Sequence, residues 1–165
     1  MGNGRPEETE EERADRNFGD LLQELRVAQT GVQILFAFLL TIPLQARFEK
    51  LDTWQRDVFI AALLFSALAT ACLIAPVAYH RVLFRQRLKD LIVRSASRFA
   101  LAGLVFLGLA IVCSVHLVLD LVLNRPIAFA VAGALGVLLM TLWWALPLRH
   151  LQQRRNEQLE EDLTQ

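Results

Sequence analysis

The chain has 165 residues, 55% of them hydrophobic, and its 17 basic side chains are balanced by 17 acidic ones. A positive mean hydropathy at this length excludes a chain that keeps its apolar residues for one soluble core, and no nucleic-acid partner is expected of a chain with zero net charge. The apolar residues fall in four blocks, 27 to 46, 57 to 79, 100 to 123 and 126 to 148, each about 20 residues or slightly more, the length of helix that crosses a hydrocarbon layer of about 30 Å.

The acidic start MGNGRPEETEEERADR has Met1 and Ala14 as its apolar residues, which predicts a disordered tail over residues 1–17. Eight acids and four arginines precede Val27 with no apolar core among them, so no cleavable signal peptide is expected and the first block serves as its own targeting signal. The opening Met-Gly does not complete a myristoylation signal, because Pro6 stands where Ser or Thr is required. Phe18, Leu21, Leu22 and Leu25 then recur at helical spacing around Asp20 and Glu24, which predicts a short interfacial helix leading into span one.

Span one carries Arg26, Gln29, Thr30 and Gln33 at i, i+3, i+4 and i+7, on one face of a helix. Uncharged polar groups in hydrocarbon seek partners, and antiparallel counting puts Thr70 of span two and Thr141 of span four at similar depth. These six residues are expected to form an intramembrane polar cluster. The plain reading is interhelical glue with Gln33 bonded to another span; the alternative is a polar vestibule for a small solute. The turn RFEKLDTWQRD follows, with Trp54 placed for an aromatic belt.

Span two is all but uncharged, and like spans three and four it lacks an amphipathic period, unlike the helices of a soluble bundle. Small residues recur every fourth position, as Ala62, Ser66, Thr70, then Ala67, Ala71, Ala75, and in span four Ala128, Ala132, Gly136, which marks close-packing faces. Pro43, Pro76 and Pro147 stand near span ends, where a kink mostly sets the exit angle. The loop HRVLFRQRLKDLIVRSASRF mixes bases with helically spaced apolar residues. It predicts spans two and three extending past the bilayer as helices, with Arg81, Arg85, Arg87, Lys89, Arg94 and Arg98 available to anionic lipid head groups; docking of a partner is the other reading.

In span three His116 and Asp120 share a face, an outer polar pair read either as a proton relay or, because Asp120 is within a turn of Asn124 and Arg125, as a cap that pairs with Arg125 or Arg47. Pro126 suits the first turn of span four, and the tight turns on this side force two antiparallel hairpins. Tyr79, Trp143 and Trp144 make the opposite belt, and residues 149–165 form a tail with its bases nearest the bilayer. Cys72 and Cys113 differ in depth by about 10 Å on antiparallel helices, too far for a disulfide, and they read as small apolar fillers.

Lys and Arg divide thirteen against four between the two sides, thirteen on the side of both termini and the middle loop, and this places that side in the cytoplasm. No Gly-rich phosphate loop, zinc spacing, nucleophile elbow or paired carboxylates is present, so no catalytic, cofactor-binding or metal residue is assigned and an enzyme is not expected.

The segments ELRVAQTGVQILFAFLLTIPLQARF and APVAYHRVLFRQRLKDLIVRSASRFALAG, with QTGVQ and PVAYHR the most distinctive parts, resemble an uncharacterised bacterial family of short four-span membrane proteins defined by a domain of unknown function. The resemblance covers most of residues 18 to 148. Members similar to it are sometimes labelled sodium:proton antiporters, and the family implies no established substrate, cofactor or catalytic residue. The resulting expectation is an all-α four-transmembrane-helix bundle of two antiparallel hairpins with a membrane domain over 18–148, in a bacterial inner membrane. It would act without catalysis through lipid, a homo-oligomer or a membrane-protein partner, and the alternative is a small cation- or proton-coupled secondary transporter.

Overall fold

The computed structural model describes residues 10–83, 89–146 and 148–149, which are helical apart from short turns and include no strand. The helices are α1 (Glu10–Thr41), α2 (Thr53–Leu83), α3 (Lys89–Val122) and α4 (Arg125–Met140), and a π-helical turn, Thr141–Ala145, prolongs α4. Among the described residues four stretches are long and apolar enough to cross a membrane: Leu22–Leu44, Thr53–Ala78, Ser97–Val122 and Arg125–Ala145. The chain is a multi-pass membrane protein.

Local chemistry moves the boundaries from where hydropathy puts them. The backbone is already helical at Glu10, inside the stretch expected to be disordered, because residues 10–16 are, apart from Asp15, the strong helix formers Glu, Arg and Ala, with no Gly or Pro among them. Residues 1–9 lie outside the described residues. At its other end α1 stops at Thr41, five residues short of the apolar block: Pro43 enters a 3₁₀ turn, Ile42–Leu44, after which Gln45 is extended. In the turn that follows, Gln55 donates its backbone N–H to Asp52 Oδ1 at 2.8 Å and Asp52 N–H returns to Gln55 Oε1 at 3.2 Å, a capping box that starts α2 at Thr53. At the ends that face each other in sequence α2 and α3 run past the apolar windows, to Leu83 and from Lys89, as the loop's pattern predicted.

The helices belong to two compact units, Met1–Ile111 and Val112–Gln165. In the first, α1 and α2 are antiparallel, with Phe48 edge-on to Phe59 at 5.2 Å near the turn and Gln29 opposite Leu73 at the far end. The buried positions alternate in steps of three and four. On α1 they are Leu25, Val32 and Leu39 with Gln29 and Phe36 half-buried between them; on α2, Phe59, Ala62, Ser66, Ala69, Leu73 and Pro76; on α3, Ala100, Gly103, Leu107 and Ala110. Steps of three and four are the spacing by which paired helices interdigitate along a seam. Phe65 and Phe106 stack with centroids 6.3 Å apart, joining α2 to α3.

In the second unit the end of α3 turns back into α4. The rungs of that hairpin are Asp120 with Arg125, His116 with Phe129, and Val112 with Gly136. Bulky apolar side chains point away from the seams, among them Val27, Phe38, Val137 and Met140, each more than 60% exposed, which is the placement that a surrounding of lipid tails makes favourable.

Candidate functional site

Pro76 lies inside α2 and is fully buried. It has no N–H to give to the carbonyl of Cys72 one turn earlier, and the helix runs on unbroken through it. Gln29 of α1 reaches into that turn, and its Nε2 donates to the Leu73 carbonyl at 2.7 Å. The side chain of Leu73, 0% exposed, presses on α3 at Gly103, where a Cβ would stand 2.7 Å from Leu73 Cγ and Cδ2. Gly103 is therefore held to glycine by close approach, and Leu73 is the point at which α1, α2 and α3 lock together.

The expected six-residue cluster is only partly assembled. Gln29 crosses to another helix; Thr30 donates to the Arg26 carbonyl at 3.0 Å, Thr70 to Ser66 at 2.8 Å and Thr141 to Val137 at 2.8 Å, each within its own helix. Buried Ser66 does the same toward Ala62 at 2.7 Å. Arg26, Thr30 and Gln33 are exposed, so Gln33 does not bond another span of this chain as expected. The four polar residues of α1 do share a broad face, but the edge of the buried seam runs through it, leaving Gln29 inside and the other three outside.

His116 and Asp120 both face α4. The imidazole of His116, 5% exposed, packs on the Phe129 ring with centroids 4.4 Å apart. Arg125 holds Asp120 in a two-pronged grip, with Nε to Oδ1 and Nη2 to Oδ2 both at 3.3 Å, and the Asp120 side chain is 3% exposed. Next to it Asn124 accepts the Ile127 N–H at 3.2 Å and caps α4, with Pro126 in the first turn. This end of the hairpin is a clasp, as the cap reading anticipated, and Arg125 supplies the partner.

Of the residues expected to meet anionic head groups, Arg98 is exposed at the inner end of the third span, and Arg81, Arg85, Arg87, Lys89 and Arg94 lie outside the described side chains. Cys72 and Cys113 are free thiols, and among the described residues no group of three or more His, Cys, Asp or Glu is placed to hold a metal. The Gln29–Leu73–Gly103 contact was not anticipated from the sequence. The signal for it was a glycine in mid-span of α3 and a proline one turn beyond a leucine in α2.

Residues 7–147, all four spans included, match the profile of a family of unknown function, DUF6328. The chain belongs to the DUF6328 family. Neither a curated protein nor a solved structure matches it. In this DUF6328 member the matched range takes in both the three-helix lock at Leu73 and the clasp at Asp120.

Proposed function

We propose that this DUF6328 protein is a non-enzymatic protein of a bacterial inner membrane, with both termini in the cytoplasm, that works through the faces its helices present within the bilayer. The observation that carries this reading is the direction of the side chains. In the most apolar stretch of the first and of the fourth span 11% of the residues are buried within the chain, so most residues there keep surface for another partner. Gln29, Ser66 and Thr70 turn inward and are tied to carbonyls of the chain's own helices, and Asp120 to Arg125, which stiffens the seams. The thirteen-to-four division of Lys and Arg supports the orientation.

Two measurements test it. Reporter fusions at residue 52 and after Gln165 should read periplasm and cytoplasm respectively, and the reverse pattern sinks the orientation. The purified chain in proteoliposomes with an internal pH dye should show no sodium- or potassium-driven proton flux above protein-free vesicles. A saturable, cation-dependent flux would overturn the proposal in favour of a small secondary transporter.

A further inference from the structure

We infer that α1 pairs with α1 of a second copy of this chain, along the exposed face of α1 that adjoins its buried seam. The inference rests on the reading that the protein works through its membrane-embedded faces, and it names the partner. Arg26, Thr30, Gln33, Ala37 and Leu40 follow steps of four, three, four and three, the same repeat that α1 uses on its buried side, and every one of them is exposed. Two packing seams on one helix, one used within the chain and one unused, mark a helix with a second neighbour.

Gln33 decides what that neighbour is. It is eleven residues into the Leu22–Leu44 span, about 16 Å along α1 from its start, and so within the hydrocarbon. A carboxamide turned toward lipid there has no water to bond and is costly to leave unmatched. It is also self-complementary, with an N–H₂ that donates and a carbonyl that accepts. A twofold axis along the membrane normal brings Gln33 against Gln33 of the partner at equal depth, so two reciprocal hydrogen bonds form with no further design of the sequence.

The flanking residues fit the same geometry. Thr30 has its hydroxyl hydrogen committed to the Arg26 carbonyl at 3.0 Å, so it does not compete with Gln33. Ala37, one turn farther out, lets the backbones approach. Arg26 is four residues from the inner end of the span, within reach of the head groups for a side chain of its length.

The test uses the full chain in lipid vesicles, with Cys72→Ala and Cys113→Ala as background. Single cysteines replace Ala37 and Leu40 on the proposed seam, and Val27 and Phe38 on the adjoining flank, all exposed in the folded chain. Mild oxidation should give disulfide-linked dimers at 37 and 40 and little at 27 and 38. In the parent chain, Gln33→Leu should weaken the dimer about 3- to 20-fold in a dilution series read by energy transfer, the range measured for interhelical hydrogen bonds, and Gln33→Asn should weaken it less. The cysteine pattern does not depend on how well Gln33→Leu folds. A monomer at all protein-to-lipid ratios, linkage as strong at the flank as on the seam, or a Gln33→Leu dimer as tight as the parent overturns the inference. A monomer leaves an absence of ion flux standing, and flux leaves the linkage pattern standing, so this proposal and the functional one fail separately.

Discussion

Substituting Gly103 by Ala sets two effects of opposite sign against each other. Alanine is the better helix former by about 1 kcal/mol, so on an open face of α3 the change would stabilise. At this position the new methyl group would stand 2.7 Å from Leu73 Cγ and Cδ2, roughly 0.7 Å inside the 3.4 Å at which ordinary contact begins, and 3.3 Å from the Leu73 backbone nitrogen. Leu73 has little room to yield, being 0% exposed with its carbonyl held by Gln29. Overpacking against fixed atoms costs about 2–3 kcal/mol, so the net expectation is a loss of about 1–2 kcal/mol. In the background of Leu73→Ala the clashing carbons are gone, and Gly103→Ala should be neutral or gain about 1 kcal/mol. The coupling between the two sites is then about 2–3 kcal/mol. Unfolding of the full chain in bicelles, followed by steric trapping across the four variants of the cycle, measures each term. If Gly103→Ala proves as stable as the parent, or loses as much in the Leu73→Ala background, then α2 and α3 do not approach at this point and the lock is wrong.

Gln29→Leu should lower the stability of the monomer in dilute detergent by about 0.6–1.7 kcal/mol, the worth of one interhelical hydrogen bond. Gln33→Leu under the same conditions should be neutral or stabilising, and a larger loss at residue 33 than at 29 would show the seam to be misplaced. At the clasp, Arg125→Met should cost more than Asp120→Asn, about 1.5–3 kcal/mol for a hydrogen-bonded charged partner, because it strands a buried carboxylate while the asparagine keeps an acceptor and sheds the charge. The thermal-melt order of the two variants checks this, and equal or reversed costs would count against the grip.

Hydropathy and charge determined by themselves that this chain crosses a membrane four times, because a helix of about 20 apolar residues has few alternatives. The same reading found the hairpin turn at Asn124 and offered Arg125 as a partner for Asp120, since both are local in sequence and follow from capping chemistry. Boundaries were less legible: Pro43 ended α1 early, and the Asp52–Gln55 capping box lay unread inside what looked like a charged turn.

What the tertiary structure alone decided is which face of each helix turns inward. Lipid is as apolar as leucine, so a buried face and a lipid-facing face do not differ in hydrophobicity, and the absence of an amphipathic period in spans two to four hid no pattern that hydropathy could recover. Size and shape make the distinction instead. Ala62, Ser66 and Ala69 went inside while Leu64 and Leu68 went out, and Gly103 was fixed by the one leucine that presses against it. The two glutamines of α1 were separated for the same reason. One step of helix rotation puts Gln29 within reach of the Leu73 carbonyl and leaves Gln33 facing away, and only the packing of α1 on α2 sets that rotation.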